Sequence, residues 1–105
     1  MVYVDNYLVK AKVGRLNDLW SHLWADNIIE LNEFADKIHL KREWLQGKKT
    51  FIHYDVTSRK REEAISKGAI PMKWPEDVRK WIKKNHIMYD LRDEEVVDYI
   101  REKYC

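Results

Sequence analysis

Polar and apolar residues alternate with a period of two in short stretches of this chain and with a helical period in longer ones. Val2-Tyr3-Val4-Asp5 is β-branched and aromatic with alternating sides, which predicts a short strand ending near Asp5. Phe51-Ile52-His53-Tyr54-Asp55-Val56 predicts a second strand. Lys10-Ala11-Lys12-Val13 also alternates, but Gly14 follows at once, so residues 8–21 are expected to form a loop or a brief extended piece. Asp26 and Asn27 are both good N-caps, and Asn27 with Glu30 three positions on makes a capping box. Ile28, Leu31, Ala35 and Ile38 then share one face opposite Glu33, Asp36 and Lys37, an amphipathic helix of about three to four turns.

Residues 41–50 are charged and read as a turn around Gly47-Lys48-Lys49. Thr57 or Ser58 can cap a helix running to Lys67, with Gly68 where a left-handed C-terminal residue belongs. Pro71 demotes the short stretch Ala69-Ile70-Pro71-Met72 to an edge strand or a strand end. Pro75 suits the first turn of a third helix with Val78, Trp81 and Ile82 inward and Arg79, Lys80, Lys83 and Lys84 outward. A last helix from about Asp93 stacks Val96, Val97, Ile100 and Tyr104. This order predicts an α/β fold: a small two- to three-stranded, mainly parallel sheet flanked by about four helices. Functional loops then lie at the carboxyl ends of the strands.

Composition narrows the function classes. A length of 105 residues supports one domain, here a core over 1–72 with a helical extension over 73–105. With only 3 Gly and 2 Pro, a many-turned β sandwich and a disordered chain are both disfavoured. Gly14, Gly47 and Gly68 stand alone, so neither a P-loop nor a dinucleotide fingerprint can be written. The single Cys105 cannot form an internal disulfide, and no apolar run approaches the roughly 20 residues of a membrane span. A soluble cytoplasmic protein without a membrane partner is therefore expected. The net charge of +2 hides a distribution: residues 1–56 are balanced, 57–86 carry an excess of basic residues, and 87–105 an excess of acidic ones. The basic middle is either an anion-facing surface or an ordinary solvated helix face.

The sharpest chemical expectation comes from the strand ends. Period-two alternation puts His53 and Asp55 on one face and Tyr54 on the other. If the first two strands are parallel neighbours, Asp5, His53 and Asp55 converge at one edge, where His22 and Asp26 precede the first helix and Arg61 begins the second. Such a set can orient a His as general acid or base, hold Mg²⁺ or Mn²⁺ through carboxylates such as Asp5 and Asp55, or bind phosphate through Arg61 and helix N-termini. The catalytic candidates are Asp5, His22, His53 and Asp55; the ligand-binding candidates are Asp26, Arg61 and Tyr54. A purely structural reading competes at each position. Asp26 caps a helix, Asp55 caps the next with Thr57 and Ser58, and His53 is a core histidine bonded to backbone. His39 and His86 are assigned no role. Trp20, Trp24 and Trp44 beside the cluster, with Trp74 and Trp81 in the basic segment, suit either nucleic-acid stacking or core packing, and packing is favoured.

These residues carry a resemblance. Met1-Val-Tyr-Val-Asp5-Asn6, Trp20-Ser-His22-Leu with Ala25-Asp26, Glu30-Leu31, Phe34-Ala35, His53-Tyr-Asp55-Val, Arg61, Ala64 and Gly68-Ala69 resemble domain of unknown function 4031, a bacterial and phage family. The likeness covers about residues 1–72. It implies that Asp5, His22, Asp26, His53, Asp55 and Arg61 belong to the family pattern, and that the setting is a bacterial or phage-infected cytoplasm. The first strand ending in Asp also looks like the start of PIN-type nucleases, a likeness of fold alone. The expected function is binding, and hydrolysis, of a phosphate-bearing ligand (nucleotide or nucleic acid). The alternative is a non-enzymatic phage accessory protein that binds a host protein through its Trp residues and acidic tail.

Overall fold

Residues 1–13, 15–46 and 51–90 are described by a computed structural model. Six strands form one sheet: β1 (Val2–Asp5), β2 (Val9–Val13), β3 (Leu16–Ala25), β4 (Leu45–Gln46), β5 (His53–Thr57) and β6 (Ile70–Met72). Three helices accompany them among the described residues: α1 (Ile28–Lys37), α2 (Ser58–Ser66) and α3 (Glu76–Asp90), with a 3₁₀ turn over Arg42–Trp44. The sheet order is β4-β5-β3-β1-β6, and β2 pairs with the first half of β3.

The class is α/β, but the sheet is larger than expected and mixed. Among the described residues only β1 and β6 pair in parallel; every other pairing is antiparallel. One feature accounts for the difference. Residues 8–21, expected as a loop or a brief extended piece, contain most of a hairpin in which β2 and β3 pair from Val9↔Trp20 to Val13↔Leu16. β3 inserts between β1 and β5, so these two strands run the same way without touching. The second half of β3 is buried on both faces and so reads as an apolar run, without the alternation that marks a one-sided strand. The helix expected from Asp93 lies outside the described residues.

Four local signals hold, whereas residues 41–46, expected within a turn, form the 3₁₀ turn and β4. Asn27 caps α1, its side chain accepting the Glu30 backbone N–H at 2.8 Å. Thr57 caps α2 by accepting from the Lys60 N–H at 3.3 Å. Gly68, at φ +109°, closes that helix in a conformation that a side chain resists. Pro71 sits in β6 at the sheet edge, where its missing N–H costs no ladder bond.

Period-two geometry divides the sheet into two faces. Val2, Val4, Leu23, Ala25, Tyr54 and Val56 point to one, where α1 and α2 pack with Leu31, Phe34, Ala35, Ile38 and Ala64. Tyr3, Trp24 and Phe51 belong to the other, where Trp81 of α3 meets all three rings at centroid distances of 5.8, 5.8 and 6.5 Å. Trp24 and Trp81 are therefore core residues, and truncating either costs about 3–5 kcal/mol. The second face also carries the polar cluster.

Candidate functional site

β1 and β2 lie along the same edge of β3, because at Leu23 and at Trp20 the opposite edge is taken by β5. Between them the chain leaves the sheet, and side chains replace the lost ladder bonds. The Asp5 carboxylate, fully buried, accepts the Tyr7 backbone N–H at 3.1 Å and that of His22 at 2.9 Å. The Ser21 hydroxyl accepts the Leu8 N–H at 3.2 Å. An interruption of this kind beside a polar cluster is how sheets re-aim side chains toward a site.

The interruption places Asp5, His22 and Asp55 in one row across three strands. His22 is paired with Asp55 in the β3–β5 register, and the pair Val4↔Leu23 brings Asp5 alongside His22. The other carboxylate oxygen of Asp5 meets His22 Nδ1 at 2.6 Å. Facing a carboxylate, Nδ1 is the nitrogen of that ring that donates, so in the neutral ring the lone pair lies on Nε2. Rings enclose His22: Tyr7 stacks on it at 5.2 Å, Trp74 tilts over it at 5.0 Å, and Phe51 and His53 approach edge-on at 5.8 and 5.0 Å. Asn6 fixes the Trp74 wall by accepting its backbone N–H at 2.7 Å.

His53 lies one row along on the same face. Its Nδ1 is 3.0 Å from the Phe51 carbonyl oxygen and its Nε2 is 3.3 Å from Asp55 Oδ1. Gln46 of β4 donates to the other oxygen of Asp55 at 2.8 Å. Burial pushes the Asp55 carboxyl up, but the His53 contact, the charges of His53 and His22, and the Gln46 bond outweigh it and hold the group below its ordinary value. One donor atom from each of His22, His53 and Asp55 lies within 4.8 Å of the other two. Arg61, from the first turns of α2, donates from Nε to the Asp5 carbonyl at 2.7 Å, which holds its guanidinium at the end of β1.

Four of the residues singled out in the sequence thus meet, Asp5, His22, His53 and Asp55, while Arg61 reaches the backbone carbonyl of Asp5 from α2 and pairs with Glu62 at 3.2 Å. They meet across neighbouring strands instead of at the tips of parallel ones. Asp5 is not placed as a metal ligand, because both its oxygens are committed to His22 and Tyr7. Asp26 is elsewhere. It follows Ala25, which pairs with Val2 at the start of β1, and it accepts from the Tyr3 hydroxyl at 2.8 Å. Tyr54 is fully buried on the opposite face, where its hydroxyl donates to Asn32 Oδ1 at 2.8 Å and accepts from Arg42 at 2.7 Å. Neither belongs to the cluster. Gln46, Tyr7 and Phe51 join it without having been expected. No sequence signal marks Gln46, whose strand is two residues long.

A buried carboxylate behind an imidazole, a second imidazole, a half-buried carboxylate and a guanidinium can bind an anion, move a proton, or hold a cation that does both. No helix among the described residues is long and apolar enough to cross a membrane.

Neither a search of curated proteins nor one of solved structures returned a match. The family described as Protein of unknown function (DUF4031) matches residues 2–85, past the stretch of resemblance and into α3. That span takes in Asp5, His22, His53, Asp55 and Arg61 together with Asn6 and Trp74. The chain belongs to the DUF4031 family.

Proposed function

We propose that this protein binds a phosphate-bearing ligand, a nucleotide or nucleic acid, in the cleft formed by His22, His53, Asp55 and Arg61, and hydrolyses it. The observation that carries the reading is the Asp5–His22 pair. A carboxylate without solvent contact fixes both the tautomer and the orientation of an imidazole whose Nε2 lies among aromatic rings, with a side-chain exposure of 15%. Ordering of this kind suits an atom that activates water, either by taking its proton or by holding a cation that lowers its pKa.

Arg61 supplies the anion recognition. Its guanidinium is planar, always charged and oriented by the Asp5 carbonyl, so a phosphate that displaces the exposed Glu62 carboxylate from it can be held while water attacks from the His22 side. Positive charge continues on Arg59, Lys67, Lys73, Arg79 and Lys80, all exposed on or between α2 and α3, which favours a polyanionic substrate. Trp74 and Tyr7, whose centroids are 4.6 Å apart at the mouth, offer stacking surface for a base.

The test is turnover of an activated phosphodiester, nucleotides and single-stranded nucleic acids by the purified chain, with and without divalent metal ions. His22→Ala is expected to lose at least about 100-fold in rate while keeping the native circular dichroism spectrum. Equal turnover by wild type and variant, or none on any phosphoester, contradicts the proposal.

A further inference from the structure

The hydrogen-bond accounting at His53 does not close with protein groups alone. Both of its ring nitrogens face acceptors, Nδ1 the Phe51 carbonyl at 3.0 Å and Nε2 the Asp55 carboxylate at 3.3 Å. A neutral imidazole has one N–H. Given to Nδ1, it leaves the Nε2 lone pair against a carboxylate oxygen; given to Nε2, it leaves the Nδ1 lone pair against a carbonyl. A cation lying between Nε2 and the carboxylate removes the conflict. The spacing favours the cation. Two atoms sharing a metal ion at about 2.1 Å lie about 3.0–3.4 Å apart, the spacing found here.

His22 completes the set from the other side. Its Nδ1 is bound by the buried Asp5, which leaves Nε2 as the donor available to a ligand. A carboxylate behind a histidine, fixing its tautomer, is the usual outer shell of a ligating imidazole. With one donor atom from each of the three residues within 4.8 Å of the others, some point lies no more than about 2.8 Å from all three. Small side-chain rotations close that to bonding distance. Gln46 steadies the second oxygen of Asp55 from β4.

We infer that His22, His53 and Asp55 form a binding site for one divalent transition-metal ion, with Asp5 as the residue that orients His22. Two imidazole nitrogens and one carboxylate suit Zn²⁺, Co²⁺, Mn²⁺ or Fe²⁺, and discriminate against Mg²⁺, which prefers an all-oxygen shell. Three protein donors leave open positions for water and substrate, the form that metal sites take when they act on a ligand. The site does not depend on the phosphate reading. That reading gains from it a source of metal-bound hydroxide beside Arg61.

Co²⁺ is the probe, because its visible spectrum reports nitrogen and carboxylate coordination directly. The titrated protein is the full chain carrying Cys105→Ser, which removes its only thiol. One equivalent is expected to bind with a saturable visible spectrum, to be displaced by Zn²⁺, and to resist a large excess of Mg²⁺. His22→Ala and His53→Ala are each expected to weaken binding by more than 100-fold, and Asp5→Asn by about 10–100-fold. If Asp5→Asn does not fold, the two partly exposed histidines still decide the matter. Binding that is unchanged in both histidine variants, or displaced equally by Mg²⁺, overturns the assignment; so does no binding at all. Metal binding without phosphoester turnover contradicts the proposed hydrolysis and leaves this site standing.

Discussion

Replacing Asp5 by asparagine changes a single atom in the buried centre of the site, and its effects can be worked out in advance. The amide oxygen can still accept the Tyr7 and His22 backbone N–H groups, now at 3.1 and 2.9 Å. The amide nitrogen then faces His22 Nδ1, where an acceptor stood at 2.6 Å. Two donors cannot share that line, so the His22 proton moves to Nε2 and Nδ1 becomes the acceptor. The variant loses one charge-assisted hydrogen bond in a site closed to water, a cost of about 2–3 kcal/mol. For a domain of this size that lowers Tm by on the order of 10 °C. Chemically the change is larger, since the nitrogen aimed at the cleft no longer has a lone pair. Nitrogen-15 correlation spectra of the imidazoles read the tautomer, and a circular dichroism melt reads the stability. A His22 ring that keeps its proton on Nδ1 in the variant, with Tm shifted by less than about 2 °C, refutes the reasoning.

Other substitutions separate site from scaffold. Tyr54→Phe removes a hydroxyl from the buried Asn32–Tyr54–Arg42 network and should cost about 1–2 kcal/mol in urea unfolding. Metal affinity should not change, since Tyr54 faces away from the cluster; a tenfold loss would mean that the two faces are coupled. Asn27→Ala removes the α1 cap and should cost about 1 kcal/mol by the same assay, with a value near zero arguing against the cap. Asp18 accepts the Leu19 N–H and the Ser58 hydroxyl, and these bonds hold its carboxyl below the ordinary value. Its stabilisation is therefore present above an unfolded-state pKa of about 3.9 and is lost as pH falls through the lower folded-state value. The difference in urea midpoint between wild type and Asp18→Ala should shrink on acidification from about pH 6 to about pH 2.5, and a constant difference would contradict this.

Much of the local structure is legible in the sequence because it depends on single residues with one physical role. Asn27 and Thr57 each satisfy an orphan N–H, Gly68 supplies a positive φ, and Pro71 can only sit at an edge. The sheet is harder to read because pairing is decided by partners distant in sequence. In β3, Trp20, His22 and Trp24 alternate with Ser21, Leu23 and Ala25, a period-two signal masked by burial of both faces near its end. Without that strand, Asp5 and Asp55 can be brought together only by assuming that β1 and β5 are neighbours. The strands do run the same way, so the cluster emerges from an incorrect pairing. Asp26 shows the limit of that route. Grouped with His22 by closeness in sequence, it lies past the far end of an extended strand, where each residue advances the chain by about 3.3 Å.

Whether His22, His53 and Asp55 hold a metal ion is decided most directly by the anomalous scattering of crystals grown with Co²⁺ and measured on both sides of its absorption edge. The account predicts one peak at about 2.1 Å from Nε2 of His22, Nε2 of His53 and a carboxylate oxygen of Asp55, with Asp5 still bonded to Nδ1 of His22. No peak there, or peaks only at other side chains on the surface, would contradict it.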